Sequence, residues 1–129
     1  MENTSDSIAL VDELITHMTA KDAGKFVTLL TEDATFHVGN NPAIHGRDNI
    51  RKFCTTFFDR VSSMKHEVLS VENTPTSICW KGIDTYHRSD GSTERFPHCN
   101  VLLMEGGQVK EFLLYANNSA YYSPSMRSL

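Results

Sequence analysis

Two spacings of hydrophobic residues divide the chain into helical and extended segments. The helical spacing predicts an amphipathic helix over residues 6–20, a second, short helix ending near Thr31, and a third helix after Gly46. Residues 31–33 are predicted to form a polar turn. The third helix carries three phenylalanines, which need a large apolar partner such as a sheet.

Alternating patterns predict strands over residues 34–38 and 65–72, and three more antiparallel strands between Ile78 and Asn117. Helices followed by a run of antiparallel strands are typical of an α+β fold, with the helices packed on one face of a curved sheet. A chain of 129 residues predicts a single domain. We place its core at about residues 7–122, followed by a polar C-terminal tail.

The two turns between these strands suggest which residues face each other. At the Gly106-Gly107 turn, pairing of Glu105 with Gln108 predicts that His98 faces Tyr115 and that both share a face with Asn100, Leu113 and Asn117.

At the other turn, around Gly91, we expect Arg88 to pair with Ser92. If the numbers of facing residues add up to an even number, as in that pair, Asp84 lies opposite or diagonal to His98. A slip of one residue would instead separate Asp84 and His98 onto opposite faces.

Asp84 is the exception in an otherwise apolar row that includes Trp80 and Tyr86. A buried carboxylate is costly unless it is paired or hydrogen-bonded, so we expect a partner, and His98 is the candidate. Asp84 and His98 are therefore the predicted catalytic pair, with Asp84 as base or orienter and Tyr115 or Tyr86 as donor to a developing enolate. The alternative is a satisfied buried pair that meets no substrate.

Charge and composition exclude several classes of partner. The formal net charge is −4 with no Lys/Arg cluster, which disfavours nucleic acid and anionic membranes. No apolar run approaches the roughly 20 residues that span a bilayer, and the polar N-terminus does not resemble a secretion signal. The three cysteines lack the spacing of a disulfide framework or a zinc site, so we expect small buried thiols and a cytoplasmic protein.

The segment LLTEDATFHVGNNPAIHGRDNIRKF, residues 29–53, resembles the SnoaL-like polyketide-cyclase group of the nuclear-transport-factor-like superfamily. The later stretches KHEVLSV, FPHCNV and GGQVKEFLLYANNSAYY are similar to that group as well. The resemblance implies a cone-shaped barrel in which three N-terminal helices pack on a curved, mostly antiparallel sheet that encloses a pocket. It also implies a homodimer formed through the outer sheet face.

The same resemblance bears on the site. SnoaL-like chains often end a Y-x-D strand with an acid that faces the pocket, but Asn117 stands there and cannot act as a general base. His66 matches a histidine that is frequent in the family; it either lines the pocket or is a half-buried strand residue, and we prefer the second interpretation. The predicted substrate-binding residues are Tyr115, Asn117, Asn100, Trp80, Tyr86, Phe36, Phe57 and His66.

We therefore expect a cofactor-independent enzyme that moves a proton on a small hydrophobic carbonyl-type molecule, as an isomerase, cyclase or dehydratase does. The alternative is a non-catalytic small-molecule-binding or dimerisation module of the same fold. The six histidines lack metal-ligand spacing, so no metal is expected.

Overall fold

The computed structural model describes residues 4–116, which form three helices and six strands. In chain order these are α1 Thr4–Thr19, α2 Ala23–Val27, β1 Leu30–Val38, β2 Ile44–His45, α3 Arg47–Asp59, β3 Val61–Asn73, β4 Ser77–Arg88, β5 Thr93–Glu105 and β6 Gln108–Ala116. The predicted closing residues 117–122 and the C-terminal tail lie outside the described residues. No helix within residues 4–116 is long and apolar enough to cross a membrane.

The strands form one mixed sheet in the order β2-β1-β6-β5-β4-β3. Every neighbouring pair is antiparallel except β1 and β6, which run parallel. Within the described residues β2 and β3 are the two edges of the sheet. The sheet is therefore open, and the prediction of a barrel is wrong in this respect. Because β1 and β2 precede α3, the three helices are not one uninterrupted N-terminal group.

The boundary between α2 and β1 differs from the sequence prediction. The second helix ends at Val27, and β1 begins at Leu30 and includes residues 31–33, which were predicted to be a turn. Leu30 and Thr31 are buried, and Leu30 pairs with Val109 of β6. Burial of this short stretch against the sheet therefore outweighs the turn preference of its polar residues.

The core lies between the inner face of the sheet and the helices. The even-numbered residues of β4 from Ile78 to Tyr86 are buried, as the alternation predicts. Helix α3 covers the sheet with Ile50, Cys54 and Phe58. Phe36 of β1 meets Phe112 of β6 edge to face at 5.1 Å, so the parallel pair of strands contributes an aromatic layer to the core.

The numbers of facing residues in β4 and β5 add up to an even number, which is the register that puts Asp84 and His98 on one face. Asp84 is opposite Phe96 and Gly82 is opposite His98, so Asp84 and His98 are diagonal neighbours on one face. The turn at Gly91 closes with a hydrogen bond from the Arg88 N–H to the Ser92 carbonyl.

The pairing of β5 with β6 follows the prediction only next to the turn. Glu105 faces Gln108 and Met104 faces Val109, but the register then shifts, because Leu103 pairs with Glu111 and Lys110 is left as an extra residue.

The predicted pairs of His98 with Tyr115 and of Asn100 with Leu113 are therefore wrong. His98 faces Ala116 and Asn100 faces Leu114. Tyr115 faces Cys99 on the outer side of the sheet and is 56% exposed, so it does not share a face with His98.

Candidate functional site

A buried carboxylate with three polar side chains around it forms the centre of the candidate site. Strand pairing sets His66 of β3 directly opposite Asp84, and its Nδ1 lies 2.8 Å from Oδ1 of the carboxylate. The Tyr86 hydroxyl donates to Oδ2 at 3.2 Å. Nε2 of His98 lies 3.0 Å from Oδ1. We call these four residues, Asp84, His66, His98 and Tyr86, the carboxylate cluster.

The two imidazoles contact Asp84 differently. An ionised carboxylate only accepts, so the aligned contact of His66 places the proton on Nδ1. Its Nε2 then carries a lone pair, and it has no hydrogen-bond partner among the described residues. Nε2 of His98 also lies close to Oδ1, but its N–H does not point along this contact, so the contact is not an aligned hydrogen bond.

The pKa of Asp84 reflects two opposing effects. Burial alone raises it, because the apolar surroundings disfavour the charged carboxylate. The contacts of His66 and then of His98 stabilise the anion and outweigh burial, so the pKa of Asp84 falls below its usual range. Asp84 is therefore an ionised group that holds its neighbours in place, and it is a weak base.

Gly82 makes room for His98, and sequence reasoning missed this role. A Cβ atom at position 82 would lie 3.0 Å from Nε2 of His98 and 2.3 Å from the backbone oxygen of Glu67. Neither the strand backbone nor the packed ring can move aside without cost. A glycine inside an apolar strand row was the available signal, because it often marks a close approach.

Further polar atoms lie along the inner face beside His98. Trp80 is directly opposite Asn100, and its ring meets the His98 ring edge to face at 5.5 Å. Within the described residues Nε1 of Trp80, Oδ1 of Asn100 and Nδ1 of His98 are buried and have no hydrogen-bond partner. A buried polar atom without a hydrogen-bond partner lowers the stability of the fold, so a polar group of a ligand that bonded to these atoms would be favoured here.

An apolar cavity lies next to the carboxylate cluster. Its volume is about 40 Å³, room for about three water molecules, and its walls include Met18, Phe36, Phe53, Phe57 and Tyr86. The size and enclosure of the pocket that the resemblance implies stay a prediction.

Only one residue of the carboxylate cluster reaches this cavity. The ring of Tyr86 lines the wall, 5.2 Å from the ring of Phe57, while its hydroxyl contacts Asp84. Tyr86 therefore connects the apolar cavity to the buried charge.

The remaining predicted site residues are distributed between these regions. Phe36 and Phe57 line the cavity. Trp80 and Asn100 lie beside His98 and do not line the cavity. His66 as a whole residue is half-buried, but its side chain is only 2% exposed and contacts Asp84, and it does not line this cavity. Tyr115 lies on the outer face, and Asn117 falls outside the described residues.

The described residues contain no group of three or more His, Cys, Asp or Glu side chains arranged to hold a metal ion. Nδ1 of His66 and Nε2 of His98 both approach the same oxygen of Asp84, at 2.8 and 3.0 Å.

Comparison with known proteins identifies the family. The chain is similar to a putative SnoaL-like polyketide cyclase from Jannaschia sp. CCS1, at 14% identity and a TM-score of 0.79, over 92% of this chain and 90% of that one. An NTF2-like protein of unknown function from Burkholderia pseudomallei gives 14% identity and a TM-score of 0.80, over 90% and 94%. An LEH-like epoxide hydrolase from M. tuberculosis gives 14% identity and a TM-score of 0.78, over 96% of this chain and 92% of that one.

At 14% identity these similarities show a shared fold alone. No curated protein sequence matches the chain. The sequence model of the SnoaL-like domain family matches residues 11–112, which is most of the chain and includes the whole carboxylate cluster. The chain therefore belongs to the SnoaL-like domain family.

Proposed function

We propose that this domain is a cofactor-independent enzyme that moves a proton on a small hydrophobic carbonyl-type molecule, in an isomerase, cyclase or dehydratase reaction. The carboxylate cluster carries the proposal, because Tyr86 joins the buried Asp84 to the apolar cavity. An apolar cavity with one polar group in its wall suits a ligand with a single oxygen on a hydrophobic body.

In this proposal Asp84 orients the other groups and stays ionised. Its hydrogen bond to Nδ1–H of His66 leaves the lone pair on Nε2, which is the arrangement of an oriented imidazole base. The lowered pKa of Asp84 supports this division, since a carboxylate that ionises so readily is a poor proton acceptor.

Tyr86 supplies the second role. Its hydroxyl can turn from Asp84 to a carbonyl oxygen that enters from the cavity and can stabilise the enolate that forms there. The ring centroids of Tyr86 and His66 are 6.1 Å apart, so the proposed reaction requires the side chains at the cavity to move until the carbon next to the carbonyl of a molecule bound to Tyr86 reaches Nε2 of His66. The base then takes a proton from that carbon, and the protonated His66 is stabilised by Asp84.

Ligand entry requires side chains at the cavity to move. Met18 and Phe57 are partly buried wall residues, and a methionine adopts new shapes at low cost. His98 supports the same anion from the other side and is a positioning residue in this scheme.

The second candidate is a non-catalytic module that binds a small apolar molecule or serves in dimerisation. The observation that favours it is that the cavity is small and meets the carboxylate cluster only through Tyr86.

Exchange of the α-hydrogens of cyclohexanone for deuterium in D₂O, followed by proton NMR, separates the two candidates. We expect the wild-type chain to accelerate exchange, and H66Q or Y86F to lower the accelerated rate about 100-fold or more, because general acid–base groups contribute at least this much. The matched control is H87Q on the same sheet, since His87 is exposed and its ring contacts Thr93. Binding of cyclohexanone at Tyr86 without faster exchange would establish the binding module instead.

We also infer that two copies associate through the outer sheet face. Tyr115 is a large side chain on that face with 56% exposure, next to the apolar Leu113 and Val101 positions. An exposed aromatic residue on an open sheet face is a common interface anchor.

A further inference from the structure

Two thiols contact each other on the outer face of the sheet. Sγ of Cys79 in β4 lies 3.4 Å from Sγ of Cys99 in β5. Because Cys79 pairs with Val101 and Cys99 pairs with Lys81, the two cysteines are diagonal neighbours across one strand pair. From the sequence we expected small buried thiols, and for this pair the expectation is wrong, since both cysteines are only half-buried and their sulfurs touch.

The two sulfurs are close to bonding distance. A disulfide bond is about 2.05 Å long, so the sulfurs must approach by about 1.4 Å. Because the two residues are diagonal rather than directly opposite, the closure we propose combines side-chain rotation with a shift of the two strands. The third thiol, Cys54, is buried in α3, and burial raises its pKa to about 12. Cys54 is therefore protonated and shielded, and it does not compete for an oxidant.

We propose that Cys79 and Cys99 are a redox-active dithiol that closes to an intramolecular disulfide by exchange with a small disulfide such as glutathione disulfide. The thiolate of one cysteine attacks a sulfur of glutathione disulfide, forms a mixed disulfide and releases one glutathione thiolate. The second cysteine thiolate attacks the protein sulfur of that mixed disulfide and releases the other glutathione. Both cysteine sulfurs are oxidised, both glutathione sulfurs are reduced, and the two cysteine protons pass to the released glutathiones.

The surroundings of Cys99 set how fast the exchange runs. Burial and the adjacent Cys79 thiol raise the pKa of Cys99, while Lys81 on the facing strand opposes them. Tyr115 faces Cys99 from the other neighbouring strand. The thiolate of Cys99 is thus scarce near neutral pH, and we expect faster closure as the pH rises toward and above the ordinary cysteine value of about 8.5.

The test is to equilibrate the full chain with mixtures of reduced and oxidised glutathione, at a protein dilution where sedimentation gives monomers. Mass spectrometry then counts adducts, and peptide mapping locates the link. We expect wild type to lose two hydrogen atoms and to yield a Cys79–Cys99 peptide. In C79S and C99S closure is blocked, so we expect a glutathione adduct fraction about tenfold higher than in wild type, because the neighbouring thiol acts at a high effective concentration.

C54S is the matched control and should close like wild type. C79A and C99A repeat the test if a serine variant does not fold, which circular dichroism reports. A stable adduct on wild type, a link that involves Cys54, or a chain that stays fully reduced while a model dithiol in the same buffer is oxidised would overturn the proposal.

Discussion

Asp84 shows how one residue can be both predictable and misjudged. Its place in an apolar row indicated that it needs partners, and the structure supplies two hydrogen-bond donors, His66 and Tyr86, and a third close contact from His98. The direction of its pKa depends on the balance between burial and these contacts, which only the distances decide. The result favours an orienting role over the base role that the sequence left open.

Asp84→Asn tests this balance through stability. At neutral pH we expect the variant to lose about 2–3 kcal/mol of unfolding free energy, because charge-assisted hydrogen bonds become neutral ones. Since the folded-state pKa is lowered, the contribution of the carboxylate is complete above its unfolded pKa of about 3.9 and is lost as the pH falls through the lower folded value. Urea unfolding as a function of pH measures both effects.

The matched control for Asp84→Asn is Asp12→Asn, which neutralises an exposed carboxylate on α1 and should change stability by no more than about 0.5 kcal/mol. Parallel pH profiles for wild type and Asp84→Asn would contradict the assigned role of the carboxylate.

Among the elements, β6 departs most from the sequence prediction. The turn at Gly106-Gly107 was predictable from its residues, and the pairs next to it are correct. The extra residue Lys110 then shifts the rest of the strand by one position. No residue pattern required that shift, whereas burial of Phe112 in the aromatic layer explains why it is favourable.

Paired aromatic substitutions test the observed register of β6. Phe112→Ala should lower the unfolding free energy by about 3–5 kcal/mol, because Phe112 is 2% exposed and its loss leaves a cavity. Tyr115→Ala should cost less than about 1 kcal/mol, because Tyr115 is largely exposed in the monomer. Denaturant unfolding of dilute protein measures both, and the reverse order of effects would support the unshifted register.

At the scale of the whole molecule, the parallel pairing joins β1, the first strand, to β6, the last strand of the described residues. This pairing places Phe36 beside Phe112 and sets the floor of the apolar cavity beside Tyr86. Contacts between segments so distant in sequence leave no local signal, so the small size of the cavity could not be predicted.

The inferred homodimer gives a prediction at this same scale. Tyr115→Lys places a charge on the outer sheet face and should weaken association at least about tenfold, which corresponds to about 1.4 kcal/mol. Sedimentation equilibrium measures the dissociation constant. Thr56→Lys adds the same charge on the exposed side of α3 and should leave association unchanged. A wild-type chain that remains monomeric at high concentration would refute the dimer.

Local pattern alone determined the helices α1 and α3, the strands β4 and β5 and both tight turns, because spacing and turn chemistry act over a few residues. It left two registers open around Gly91, and the structure selects the one in which Asp84 and His98 share a face. It also carried the resemblance to the SnoaL-like family. Tertiary structure decided that His66 and Tyr86 complete the carboxylate cluster, that Tyr115 lies outside, and that Cys79 meets Cys99. These outcomes depend on register and on packing between distant strands, where burial in the assembled core outweighs local preference.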